Sequence, residues 1–524
     1  MIPLWQNPEF IRNCRAQLRP RRLAMVALIV AALSIVVGYT TYQSFDTAAR
    51  WGETLFSVAF YAQIFTLCIG GGGACSRSIS HERDQNTFDF QRVTQLSSLE
   101  LALGKLLGAP AISYFAALCM VPAALVGAVA AGVPPLRLVI AYVILLAGSI
   151  AIHSVALLVS LGTTKTGGGI AGLSAVALLS LALLFTSFPD TSRLVLDMGK
   201  LGPSAAADFA LHGTWELRTW HSNDGAYAVS VSPWTDVFFG IPLHHLPVLL
   251  VLYLTFTVWC LVPLARNLKK DPALVELYSP AQSVGLLTYI NIIMAGFYMT
   301  YRIESSSFAQ GEQSLSTRFE FFLTANLTLL YCLGLALIRN REQTRRRAYQ
   351  RGAGGIDWLE AGWPSVYILA GAACAAIVFL SRFGLAYAQN DFEPRFVVFV
   401  CALLLATVLR DLCFLQWMNL RRSKRPLMIG MILVSVFYLC GGLLLGLARF
   451  SRPVATVFTA IVAPWPMATA SYAESVEWSQ NPSAWFIGLA FQIALATLFA
   501  ALHYSAAEEL RPARTPAPAR APAT

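Results

Sequence analysis

Runs of about 20 consecutive apolar residues recur along the whole chain, and no other feature restricts its fold so strongly. An α-helix rises 1.5 Å per residue, so about 20 residues cross a hydrocarbon core of about 30 Å. The spacing predicts twelve spans, at 23–42, 55–74, 106–131, 138–161, 169–188, 246–265, 284–301, 319–338, 365–386, 396–418, 427–448 and 483–503. In hydrocarbon every backbone N–H and C=O must find a partner inside the protein, and a helix provides one for nearly all of its own groups. The expected fold class is therefore an all-α polytopic membrane protein. Composition agrees, since 56% of the 524 residues are hydrophobic and 13% charged, about half the charged share of a water-soluble domain. No stretch between spans exceeds about sixty residues, which is marginal for a soluble catalytic domain with its own core.

Basic residues collect on one side. With the N-terminus inside, 26 of the 38 Lys and Arg residues fall on inner segments and 10 on outer ones, while Arg382 and Arg410 lie within spans. Such an excess marks the cytoplasmic side. It also explains Arg345-Arg346-Arg347 and the run Arg421-Arg422-Ser423-Lys424-Arg425 without nucleic acid as a partner, despite a net charge of +10. The first apolar run follows five arginines but is longer than a secretory leader's core and is soon followed by another span, so it reads as a retained helix. None of the ten cysteines falls in an outer loop, and no C-x-x-C pair suggests a metal or cluster.

Six spans followed by six return the chain to its starting side, which predicts two parallel six-helix repeats, 1–265 and 266–507, with a disordered cytoplasmic tail at 508–524. Landmarks recur in order. Asn7-Pro8-Glu9-Phe10-Ile11 precedes the first span and Asp271-Pro272-Ala273-Leu274-Val275 the seventh; each places a capping residue before a proline suited to the first helical position. These predict interfacial elbow helices at 7–19 and 271–278. The first has Phe10, Ile11, Cys14 and Leu18 on one face and Arg12, Arg15 and Arg19 elsewhere, as a helix lying in the inner leaflet surface requires. Long inner loops follow the second span (75–105) and the eighth (339–364). Long outer segments precede the sixth (189–245) and the twelfth (449–482), and both contain a Pro-Trp pair, Pro233-Trp234 and Pro464-Trp465. Short re-entrant helices are expected there, with an ordinary aromatic belt as the alternative explanation.

The segment Glu82–Lys105 carries the most specific information. Ser97-Ser98-Leu99-Glu100 fits a capping box and should start a helix that continues through Lys105 into the third span. Glu82–Val93 should form a separate short helix, with a sharp break at Thr94-Gln95-Leu96. A stiff elbow beneath the bilayer can convert a push into helix movement. The pattern of Glu82, Thr87, Thr94, Leu96, Ser97, Glu100, Gly104 and Lys105 resembles the coupling region of ABC-2 type transporter permeases. That resemblance implies a docking surface for a cytoplasmic ATP-binding-cassette ATPase, an N-terminal elbow helix, six spans per half, re-entrant helices before each sixth span, transport rather than catalysis in this chain, and a place in a bacterial plasma membrane with both termini cytoplasmic. It is strong in the first half. Gln95 stands where many of the family have proline, and the second-half loop 339–364 lacks both Thr-x-Leu-Ser and Gly-Lys.

Other candidates are weaker. No G-x-x-x-x-G-K-[ST] occurs, so nucleotide chemistry is expected of a separate subunit. Gly70–Gly73 should end the second span or permit a close helix approach. Arg410-Asp411 reads as a structural pair snorkelling at the inner interface, although ionisable groups at membrane depth are often functional. The histidines form no i, i+4 pair, and no nucleophile has a matching base, so no cofactor or active site is expected. A twelve-span secondary carrier is the main alternative, but it would need mid-membrane carboxylates and a long loop between spans six and seven. A membrane-embedded transferase comes third.

Overall fold

The computed structural model describes residues 3–93, 95–162, 202–212, 235–238, 241–270, 278–294, 326–335, 337–339, 341, 342, 344, 345, 394–423, 426–448 and 482–510. Proline opens many of the helices: Pro8, Pro20, Pro135, Pro280, Pro394, Pro426 and Pro482 are all first residues. Its missing N–H is an orphan there in any case, and its fixed φ suits a helix start. The first compact unit, Met1–Asp236 with Pro242–Leu277, contains α1 (Pro8–Gln17), α2 (Pro20–Ser44), α3 (Ala48–Phe65), α4 (Gly72–Asp84), α5 (Phe88–Arg92), α6 (Ser98–Gly108), α7 (Ala111–Ala130), α8 (Pro135–Gly162), α9 (Ala205–His212) and α10 (His245–Asn267). The second, Val237–Ile241 with Tyr278–Thr524, contains α11 (Pro280–Met294), α12 (Asn326–Leu335), α13 (Pro394–Asn419), α14 (Pro426–Ala448) and α15 (Pro482–Glu508). A two-stranded ribbon pairs Thr235–Phe238 with Ile241–His244.

Among the described residues, six helices are long and apolar enough to cross a membrane, at Pro20–Ser44, Ala48–Asp84, Ala111–Ala130, Pro135–Leu161, Leu246–Asn267 and Phe486–Glu508. The chain is a multi-pass α-helical membrane protein. The expected spans 169–188 and 365–386, the Pro233-Trp234 and Pro464-Trp465 pairs, most of the second elbow, and nearly all of the loops 339–364 and 449–482 lie outside the described residues, as does the tail beyond 510.

In the first unit α3 packs along α7, while α8 packs against both α4 and α10. Phe56, Phe60, Ala117, Ala124, Ala128, Ile144 and Leu145 belong to one buried core, which also receives Ala206, Ala207 and Ala210 of α9. A short apolar helix thus tucks between spans within the long segment 189–245, but upstream of the Pro-Trp pair that was expected to supply one.

Gly70–Gly73 do not end the second span. The helix continues through a π-helical turn, Thr66–Gly71, into α4, and Ala48–Asp84 forms one run of 37 residues. At 1.5 Å per residue this is about 55 Å, far beyond the hydrocarbon core, so the polar α4 end projects from it. Buried His153 lies against the turn, with Nε2 2.8 Å from the Leu67 carbonyl and Nδ1 3.0 Å from the Tyr114 hydroxyl. A carbonyl can only accept, so Nε2 carries the hydrogen and Nδ1 accepts from Tyr114. Gly71 permits this contact, because a Cβ there would lie 2.3 Å from His153 Nε2.

Arg410 and Asp411 do not snorkel. Arg410 stands about 24 Å along α13 from Pro394 and about 14 Å from Asn419, and it is 3% exposed. Its Nε donates to Asp411 Oδ1 (2.7 Å), Nη1 to Gln492 Oε1 (2.6 Å) and Nη2 to the Tyr438 hydroxyl (2.7 Å). Tyr331 and Tyr438 both donate to Asp411 Oδ2, and the Phe437 ring lies under the guanidinium at 4.7 Å. One ion pair therefore ties α12, α14 and α15 to α13, because folding inward satisfies groups that would otherwise have to reach water. Arg410→Met should cost about 3–5 kcal/mol by leaving Asp411 unpaired, read as a lower unfolding midpoint of the purified chain. Arg410→Met with Asp411→Leu should cost less than the sum of the two single changes. Single variants as stable as the parent would show that the pair does not hold these helices.

Candidate functional site

Between the second and third spans the chain makes a hinge whose residues fold back onto the N-terminal helix. α4 ends where Asn86 takes φ +57°, a left-handed conformation that asparagine tolerates better than most residues. Gln85 N donates to the His81 carbonyl, Asn86 N to Arg83 and Thr87 N to Glu82, closing the helix end as a C-cap requires. The five-residue α5 follows. This corrects the expectation of one unbroken helix over Glu82–Val93: Glu82 belongs to the second-span helix, and a further break falls at Asn86, besides the expected one between the end of α5 at Arg92 and the start of α6 at Ser98.

Ser97 makes the capping box expected of it. Glu100 N donates to Ser97 Oγ (3.2 Å) and Ser97 N to Glu100 Oε2 (2.9 Å). The helix it starts stops at Gly108 rather than running on, because Pro110 supplies no N–H and a new helix begins at Ala111.

Four charges close the hinge. Lys105 is fully buried, and its Nζ donates to Glu9 Oε1 (2.9 Å) and to Glu82 Oε2. Arg12 Nη2 reaches Glu9 Oε1 (2.8 Å) and Glu82 Oε1, and Gln91 Nε2 donates to Glu82 Oε1 (2.9 Å). Two carboxylates meet two cations, so the cluster is neutral as a whole. Burial by itself would raise the Glu82 carboxyl; the Lys105 charge and hydrogen bond, the Gln91 amide and the Arg12 charge outweigh it and hold the group below its ordinary value.

The backbone allows α1 to approach closely enough. Asn7 Oδ1 accepts from Glu9 N (3.0 Å) and Phe10 N (3.3 Å), capping α1, while its Nδ2 donates to the Glu100 carbonyl (2.7 Å). A Cβ on Gly104 would lie 2.9 Å from Glu9 Cβ, and one on Gly108 would lie 2.9 Å from Asn13 Cβ. This is the small-xxx-small contact by which membrane helices draw near. The other arm is fixed to α8: Arg83 Nη1 donates to the Leu161 carbonyl (2.8 Å) and stacks over Phe88, while Ser160 Oγ accepts from Ile79 N (3.1 Å).

The residues expected to dock a partner therefore divide. Glu82, Glu100 and Lys105 are buried, Thr87 and Leu96 are half-buried, Ser97 is exposed with its hydroxyl engaged in the cap, and Thr94 is outside the described residues. Asp84, Gln85, Asn86, Asp89, Val93 and Gln95 form the exposed tip, and Val93 is 83% exposed. Sequence reasoning missed Glu9, Arg12 and Gln91 as partners of the motif. The available signal was Glu9 itself, the one acidic residue among five arginines before the first span. No protein-family model, curated protein or solved structure matches the chain.

Lys105→Met should destabilise the chain by about 3–5 kcal/mol, because two buried carboxylates lose their central cation. Combined with Glu82→Gln, the loss should fall short of the sum by at least about 1 kcal/mol, measured by unfolding midpoints in one detergent. Additive effects would mean that the two groups do not act together. Gly104→Ala should cost about 1–3 kcal/mol by pushing α1 off α6, again visible as a lower midpoint.

Proposed function

We propose that this chain is the membrane-spanning permease subunit of an ATP-binding-cassette transporter, most simply an exporter, driven by a separate cytoplasmic ATPase that docks on the hinge between the second and third spans. The observation that carries this reading is the neutral knot of Glu9, Arg12, Glu82 and Lys105. It fastens the N-terminal helix to both arms of the hinge, so a force on the tip reaches three spans at once instead of being lost in a loose loop. The tip itself is polar, carries Asp84 and Asp89, and presents Val93 to solvent, which suits a partner with a basic rim and a small apolar pocket.

The same reading makes the protein twelve spans in two parallel six-helix halves, with both termini cytoplasmic in a bacterial plasma membrane. Its supports are the recurrent Asn-Pro and Asp-Pro elbows, the Lys/Arg asymmetry and the division of the chain into two compact units near residue 277. In this scheme the buried motif residues are positioning residues, and the partner is read by the tip.

Co-expression with a Walker-motif ATPase encoded beside this chain should yield a complex that survives purification and hydrolyses ATP faster than the ATPase alone. Val93→Asp with Gln95→Arg should reduce that stimulation at least tenfold while leaving the unfolding midpoint unchanged. A complex that forms and works equally well with the altered tip would remove the hinge from the docking role.

A further inference from the structure

The first span is almost unpacked. In the apolar window of α2 only 6% of residues are buried, and Met25, Leu28, Ile29 and Leu33 are exposed on it. Directly before this lipid-facing surface stand Arg15, Arg19, Arg21 and Arg22, all exposed. Their setting differs from that of Arg12, which is held by Glu9 and Glu82. None of the four guanidinium groups has a hydrogen bond or ion pair with a described residue, and the first turn of α2 holds no acid. Trp5, 74% exposed, adds an aromatic ring of the kind that sits at headgroup level. At the other end of α2, Tyr39 and Tyr42 are exposed, as an aromatic belt on the opposite face would be.

We propose that this surface binds anionic phospholipid, with the guanidinium groups taking the headgroup phosphates and the bare side of α2 taking the acyl chains. Guanidinium is suited to the role because its planar donors meet two phosphate oxygens at once. The occupant follows from two features that adjoin each other: four uncompensated positive charges, and an apolar helix face that no described residue of the first unit covers. A soluble acidic protein could satisfy the charges and would leave that face unused. Because α1 carries Arg15 and also Asn7, Glu9 and Arg12, bound lipid holds the helix that the buried knot needs in place. The inference does not rest on the transporter reading, since any function of the hinge would inherit it.

The test uses the full chain in nanodiscs of phosphatidylcholine, alone or mixed with phosphatidylglycerol, with retained lipid counted by native mass spectrometry and the unfolding midpoint recorded beside it. Near a charged membrane surface each arginine strengthens binding by about fivefold. Arg15→Gln with Arg19→Gln, Arg21→Gln and Arg22→Gln should therefore lose phosphatidylglycerol affinity at least tenfold and lose its stabilisation, with an unchanged midpoint in phosphatidylcholine. Arg50→Gln, at the far end of the first two spans, should behave as the parent. These arginines also direct insertion, so a second set carries lysine at all four positions. That set keeps the charge and should retain phosphatidylglycerol within a few fold, with binding that weakens as salt is raised. Phosphatidylglycerol retention that is indifferent to the glutamines, or to salt in the parent and lysine chains, would overturn the proposal. Lipid retention unchanged while binding of a soluble subunit is lost would overturn it in favour of a protein interface.

Discussion

Lys105 sits fully buried between Glu9 and Glu82, and the base of the first unit depends on that arrangement. Removing an ammonium group from water is costly, and only close opposite charges make it tolerable. The requirement dictates much of what surrounds it. α1 must lie against α6, so the contact positions are Gly104 and Gly108. Asn7 caps α1 and holds the Glu100 carbonyl with the same side chain. Glu82 must arrive from the second-span helix, and that helix therefore runs past its own glycines before stopping at Asn86. Two carboxylates and two cations leave no net charge to drive the elements apart.

The second unit uses the same physics within a long helix, α13. Arg410 and Asp411 are adjacent in sequence, but their geometry is completed by Tyr331, Tyr438 and Gln492, from three other helices. Apolar side chains cannot distinguish a neighbouring helix from lipid tails, so the directional groups are what specify which helices pair. His153, held between the Leu67 carbonyl and Tyr114 beside the π-helical turn, does this on a smaller scale in the first unit.

Much of the architecture was legible because it rests on local rules. Spans at 23–42, 138–161, 246–265, 427–448 and 483–503 correspond to observed helices, since length and hydropathy decide them. The Ser97 capping box and the α1 start at Pro8 were equally local. What was misjudged involved competition between local and distant forces. Gly70–Gly73 looked like a helix end, but His153 and the buried knot keep the helix going. Arg410 looked able to snorkel, yet three partners offered it a nearer solution. Continuity from Lys105 into the third span failed for a reason present in the sequence, the proline at 110.

The sequence by itself determined that this chain is a helical membrane protein, where most of its described helices start, and which end of the first span bears the arginines. Each of these follows from hydropathy, proline geometry and charge over a few neighbouring residues. Only the tertiary structure decided that Glu82, Glu100 and Lys105 face inward while Asp84 and Asp89 stay at the tip, and that Glu9, Glu82 and Lys105 belong to one site. Pairs separated by 23 and 96 positions leave no periodic trace in a sequence. They are selected by the cost of burying a charge alone, and that cost exists only once the helices have met.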